Sequence, residues 1–144
     1  MGIGKITGIV IVIVLVVFFI LFFIGRGTQA STATITWGNV TVYSDYSAPY
    51  LLLPEGDVWQ ILPNHYEEVD VYCTSGSCNG TFTIAGSFQS STPVFLYILN
   101  ASQYADYISN GNLTTYYYTT GEVTRGAMDI NLEIGHYYIT VINP

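Results

Sequence analysis

Thr81-Phe-Thr-Ile-Ala-Gly-Ser-Phe88 sets Phe82, Ile84 and Phe88 against Thr81, Thr83 and Ser87. That alternation is the signature of a strand with one buried and one wet face, because successive side chains point to opposite sides of the pleat. The same period runs outward from it. Upstream, Ala33, Ile35 and Trp37 alternate with Thr32, Thr34 and Thr36; Gly38-Asn39 then shifts the phase, as a bulge or turn would, before Val40 and Val42 resume. Leu51–Leu53 and Val58–Leu62 are short apolar pieces split by the turn residues Pro54-Glu55-Gly56-Asp57. In 67–73, Val69, Val71 and Cys73 share one face.

Downstream, Val94–Leu99 is apolar on both faces and reads as a central strand. Asn100, with Gln103 three residues on, has the pattern of a capping box. Ala101, Tyr104, Ala105 and Ile108 then make one face of a two-turn helix that Asn110-Gly111 ends. Segments 114–119 and 128–134 read as further strands, and 137–142 as the last. About eight short strands and one brief helix predict a mainly β domain, an antiparallel β-sandwich of jelly-roll or immunoglobulin-like type.

The start of the chain is a different polymer. Between Lys5 and Arg26 the run 6–24 is almost wholly aliphatic or aromatic. Its nineteen residues make roughly 28 Å of helix, matching the ~30 Å hydrocarbon core of a bilayer. The run raises the mean hydropathy to +0.40, and no later segment is long enough to span. The expected organisation is a stub at 1–5, a single transmembrane helix at 6–24, a linker at 25–31 and one domain at 32–144. A cleaved signal peptide is the competing reading, with Thr28-Gln29-Ala30 as a small-residue site, but its apolar core would be shorter, about 7–15 residues.

Beyond Arg26 the chain has one basic residue, Arg125, against ten acidic ones. Nucleic acid is excluded as a partner, since its phosphates demand Lys and Arg. Charge hardly orients the helix, with Lys5 on one side and Arg26 on the other. Orientation comes from four glycosylation sequons, at Asn39, Asn79, Asn100 and Asn112, and from Cys73 and Cys78 in Cys-Thr-Ser-Gly-Ser-Cys, a loop that a disulfide closes in an oxidising compartment. Both place the N-terminus inside and the domain outside the cell membrane.

The segment Val94-Phe-Leu-Tyr-Ile-Leu-Asn100 and the ending Gly135-His-Tyr-Tyr-Ile-Thr-Val-Ile-Asn143 resemble small extracytoplasmic jelly-roll-like domains, the pre-peptidase C-terminal and GOLD-type domains. The whole chain is similar to short membrane-anchored surface proteins of thermoacidophilic archaea. The resemblance implies a non-enzymatic role in binding, adhesion or assembly and brings no catalytic residues with it.

The residues themselves point the same way. Cys73 and Cys78 lack the second Cys or His pair of a zinc site, and Cys78, Met128 and His136 are too scattered for a copper site. His65 reads as a loop histidine and His136 as a turn histidine, with no nucleophile motif near either. Glu67, Glu68 and Asp70, with Glu55 and Asp57, read as a solvated acidic edge rather than a calcium loop. No catalytic, metal or cofactor residue is assigned.

The candidate contact residues are tyrosines, Tyr116-Tyr117-Tyr118 and Tyr137-Tyr138, because consecutive positions on a strand cannot all be buried. The expected partners are membrane lipid along 6–24 and membrane or envelope proteins, including further copies of the chain. The resulting expectation is a structural or accessory subunit of a membrane or envelope complex. The alternative is a pilin-like filament subunit whose apolar helix forms the filament core. A metal-binding electron carrier or an adhesion domain is the third reading.

Overall fold

One long antiparallel strand pair, joined through a helix, carries the domain. The computed structural model describes residues 31–144 apart from 45–47, 77 and 79; the expected span at 6–24, its flanking 1–5 and 25–30, and Asn79 lie outside the described residues. In chain order the elements are β1 Ala33–Trp37, β2 Val40–Ser44, β3 Tyr50–Leu53, β4 Val58–Ile61, β5 His65–Cys73, β6 Thr81–Asn100, the helix α1 Ala101–Asn110, β7 Tyr118–Glu133 and β8 Gly135–Asn143. The domain is mainly β, with one short helix and a curled antiparallel sheet. Among the described residues no helix is long and apolar enough to cross a membrane.

The strands expected separately at 81–88 and 94–99 are one strand, β6, of 20 residues. Pro93 does not end it, because the register with β7 slips between Gln89 and Val94 and asks no ladder hydrogen bond of the proline. The expected strand at 114–119 begins only at Tyr118 and continues through 128–134 as β7, 16 residues long. Ahead of it the Tyr117 N–H donates to the Ile98 carbonyl at 2.9 Å.

β7 lines one edge of β6 along most of its length. The other edge is shared. Thr41–Ser44 of β2 pairs with Phe82–Ala85, Ile35–Trp37 of β1 pairs with Phe88–Ser90, and Tyr137–Ile142 of β8 pairs with Phe95–Asn100. β1 and β2 are thus one extended strip with a one-residue offset at Gly38-Asn39, the bulge that the phase shift implies. β3 and β4 pair with β2 and β1 on the far side of the strip, and β5 pairs with β8 over its full nine residues.

The inner face is a single apolar cluster. Phe82, Ile84, Phe88, Val94, Leu96 and Ile98 of β6 meet Ile35 and Trp37, Val40 and Val42, Met128 and Leu132, and Ile139 and Val141. The curl sets Tyr137 of β8 edge-on to Phe82 at the start of β6, ring centroids 5.8 Å apart. Buried Asn143 pins the chain ends of the sheet, its amide donating to the carbonyls of Ser31 (2.8 Å) and Ile61 (2.9 Å). Cys73 and Cys78 form the expected disulfide, with Cα atoms 5.7 Å apart. For so short a loop, chain entropy alone gives about 2 kcal/mol.

α1 starts as its sequence dictates. The Asn100 side chain accepts from the Gln103 N–H at 2.8 Å, and the Gln103 side chain accepts from the Asn100 N–H at 3.0 Å. Such a cap contributes about 1 kcal/mol. Gly111, at φ 70°, closes the helix in the left-handed conformation that Gly adopts without strain. The face it presents to the sheet is not the expected one. Ala101 and Ala105 are exposed and Ile108 is half exposed, whereas Gln103, Tyr104 and Tyr107 are the partly covered positions. Aromatic stacking outbids aliphatic periodicity here, because the sheet beneath offers tyrosine rings.

Candidate functional site

The outer face of β5 and β8 is where the domain concentrates its polar aromatics. On β5 the pleat turns Val69, Val71 and Cys73 inward, which leaves Tyr66, Glu68, Asp70 and Tyr72 outward; on β8 it turns Tyr137, Ile139 and Val141 inward and leaves His136 and Tyr138 outward, with Thr140 on the same face but fully buried. The register places Tyr72 opposite His136, Asp70 opposite Tyr138 and Glu68 opposite Thr140.

The rings on this face form a continuous column. Tyr104 of α1 stacks on Tyr138 at 3.9 Å, Tyr138 on His136 at 4.7 Å, and Tyr72 meets His136 edge-on at 5.7 Å. Tyr66 and Tyr107 meet edge-on at 5.3 Å beside the helix. Each such pair adds about 0.5–1.5 kcal/mol beyond its buried area. Further along the same face Tyr97 stacks with Phe95 at 5.9 Å and touches Tyr116 at 5.3 Å. One end of the column is open: Tyr72 is 61% exposed and borders a cleft of about 400 Å³ lined by Cys73, Thr74, Ile134, Gly135 and His136.

Carboxylates thread the column. His136 Nε2 lies 3.3 Å from Asp70 Oδ2, a pair that is largely exposed and so worth little to stability. Burial raises the Glu68 carboxyl above its ordinary range, reinforced by the like charges of Asp70 and Glu67; a hydrogen bond from the Tyr104 hydroxyl and the proximity of His136 work against this. Burial, the hydrogen bond with Tyr66 and the Glu68 charge push the Tyr104 phenol far up, so it stays neutral and remains a donor to Glu68. Burial raises the Tyr50 phenol of β3, reinforced by Tyr72 and Asp70.

A carboxyl whose folded pKa is raised holds its proton more tightly in the folded chain. The stability this gives is fully present below the unfolded pKa, near 4.5 for Glu, and is lost as pH rises through the raised value. Glu68→Gln is therefore expected to raise the urea midpoint of the protein at pH 7, and that advantage vanishes near pH 4. An unchanged difference between the two pH values would contradict the burial of Glu68.

The tyrosines expected to make contacts fall into four groups. Tyr116 and Tyr117 are half exposed ahead of β7, Tyr118 is partly buried, and Tyr138 is an outer-face residue within the column. Tyr137 is a correction: it is 6% exposed, packed between Phe82 and Tyr117, and belongs to the core. His136 is likewise a strand residue inside the column rather than a turn residue. Asp70 and Glu67 are exposed, as a solvated edge requires, but Glu68 is drawn into the aromatic cluster. His65, expected in a loop, is instead the first residue of β5, paired with Asn143, with its Nδ1 2.8 Å from the Pro63 carbonyl. Tyr66 and Tyr72 are not among the sequence candidates, although the outward parity of 66, 68, 70 and 72, once 69, 71 and 73 are assigned inward, marks them; Tyr104, expected on the helix face, joins the column from α1.

The larger concavity, about 560 Å³, lies elsewhere, between Tyr43, Ser44, Thr81, Phe82, Thr83 and Asn131. Among the described residues its lining is hydroxyl and amide beside the Phe82 ring, with no carboxylate or histidine to move a proton. Among the described residues no cluster of three or more His, Cys, Asp or Glu is placed to hold a metal ion. Compared with protein-family models, with curated proteins and with solved structures, the chain matches none.

Proposed function

We propose that this chain is a non-enzymatic, membrane-anchored surface protein whose external domain, a jelly-roll-like β-sandwich, binds a protein of the membrane or envelope. The contact is made through the aromatic face of β5, β8 and α1. The observation that carries this reading is the column Tyr72–His136–Tyr138–Tyr104, open to solvent at Tyr72. Tyrosine presents a large, rigid area with a polar tip, which is why it recurs at the energetic centres of protein interfaces. The apolar run at 6–24 supplies the anchor, and the disulfide between Cys73 and Cys78 suits an oxidising exterior. Asp70 beside Tyr72, in a domain with one cation against ten carboxylates, favours a partner that offers Arg or Lys at the contact.

Replacing Tyr72 and His136 together by Ala tests this, because both side chains are exposed and neither holds the core. The expected result is a fall in the amount of co-purifying membrane protein of roughly 30-fold, the equivalent of a 2 kcal/mol hot spot, with the circular dichroism spectrum retained. Undiminished co-purification with a folded variant removes the face from consideration.

A further inference from the structure

We propose that the protein carries an N-linked glycan on Asn112, and that the sequons at Asn39 and Asn100 stay unmodified. The inference rests on the external placement of the domain proposed above. An N-glycosylating enzyme reads the asparagine together with the hydroxyl two residues on, so the tripeptide must leave the protein surface and enter a second active site. On the folded domain, a sequon held in a ladder or a helix would have to break its hydrogen bonds to do so.

Asn39-Val40-Thr41 is held on three sides. The Asn39 Oδ1 accepts from the Glu55 N–H at 2.8 Å, Val40 is fully buried, and Thr41 sits in β2 between Leu51 of β3 and Ala85 of β6. Asn100-Ala101-Ser102 is the capping box itself. The Asn100 side chain is engaged by the Gln103 N–H at 2.8 Å, and Ser102 lies in the first turn of α1. Turning the Asn100 amide out to a second active site would therefore undo the cap of the helix that also holds Ser102.

Asn112-Leu113-Thr114 differs on every count. It follows the left-handed Gly111 that ends α1 and precedes β7, and none of its three residues is in a helix or strand. Asn112 and Thr114 are exposed, and neither side chain holds a hydrogen bond among the described residues. Reaction with a lipid-phosphate-linked oligosaccharide forms a bond from Asn112 Nδ2 to the anomeric carbon. The bond from that carbon to the phosphate oxygen breaks, the lipid phosphate leaves with its electron pair, and the amide nitrogen gives up one proton to a base of the transferring enzyme. The sugar then sits four residues from Tyr116 and limits access to Tyr116 and Tyr117, which leaves the Tyr72 end of the aromatic face for a partner.

The test is peptide mapping and intact-mass measurement of the full chain purified from the cells that make it. Parallel digestion uses a broad-specificity protease added to intact and to lysed cells. A carbohydrate mass on the Asn112 peptide, absent from the Asn39 and Asn100 peptides, is the expected result. Asn112→Gln and Thr114→Ala each remove that mass, and Thr114→Ser, which keeps the hydroxyl, retains it. Cleavage of the domain on intact cells with a bare Asn112 overturns the glycan and leaves the external placement standing. A carbohydrate on Asn39 or Asn100 overturns the argument from geometry. Cleavage only after lysis overturns the placement and the glycan with it.

Discussion

Trp37→Ala is expected to cost about 3–5 kcal/mol, the usual range for removing a buried large aromatic. A domain of this size has roughly 5–15 kcal/mol in total, so the variant is left close to unfolding at room temperature. Trp37 is 1% exposed and sits where three strands meet. It is the register neighbour of Phe88 on β6, with ring centroids 5.6 Å apart, and it meets Trp59 of β4 edge-on at 4.9 Å. Its backbone also ties the β3–β4 turn, through Trp37 N–H to the Asp57 carbonyl at 2.9 Å and Gly56 N–H to the Trp37 carbonyl at 2.8 Å. Cavity and lost transfer energy therefore add at a site with little freedom to collapse. Trp37→Phe separates volume from polarity. The indole Nε1 is buried with no hydrogen-bond partner among the described residues, so Phe sacrifices no bond and removes an unpaired donor. Its loss should be well under half that of the alanine variant. Urea denaturation followed by circular dichroism reads both, with an unchanged slope showing that only stability moved. A Phe variant as damaged as the Ala variant would mean that the indole nitrogen has a partner after all.

Much of this architecture was readable in advance, and what was not has a physical reason. Period-two patterning located the strands because one face of nearly every one is buried. The bulge at Gly38-Asn39 was legible because a one-residue slip inverts every later side chain. The 20-residue length of β6 was not, since Gln89-Ser-Ser-Thr-Pro93 has the composition of a loop. That stretch remains in the strand because Ser90 pairs with Ile35 of β1 while the register with β7 slips past the proline. Tertiary pairing supplied the partners that local composition argued against.

The aromatic face shows the other limit. Adjacency marks Tyr137 and Tyr138 alike as contact candidates, but the pleat sends one of them to the core and the other to the column. Tyr104 was placed correctly on a helix and given the wrong neighbours, because a helical face is chosen by what it lands on. Only the β5–β8 register, which joins residues more than sixty apart, brings Asp70 to His136. No local pattern encodes that distance. The capping box at Asn100 and Gln103 lies at the opposite extreme, with both its hydrogen bonds closed within three residues.

Gly86→Ala is expected to destabilise the domain by about 1–3 kcal/mol although it adds one methyl group. A Cβ at Gly86 would lie 2.9 Å from both the Asn39 carbonyl oxygen and the Val40 Cα, and 2.7 Å from a Val40 methyl. These are mostly backbone atoms of the bulge in the β1–β2 strip, and Val40 is itself fully buried. The extra residue of the bulge presses that strip onto β6, and a residue without a side chain is the one that fits beneath it. Gly121 provides the contrast. It has φ +72° and nothing within 4 Å of the position its Cβ would take. Its alanine variant suffers only the left-handed backbone penalty, roughly 1–2 kcal/mol, and Asn, which tolerates that conformation, should recover most of it. Asn at position 86 should be worse than Ala, since it enlarges the clash. Thermal melts of the four variants distinguish the two mechanisms by that crossing of order, and a rescue by Asn at both positions would show that Gly86 is conserving backbone freedom rather than space.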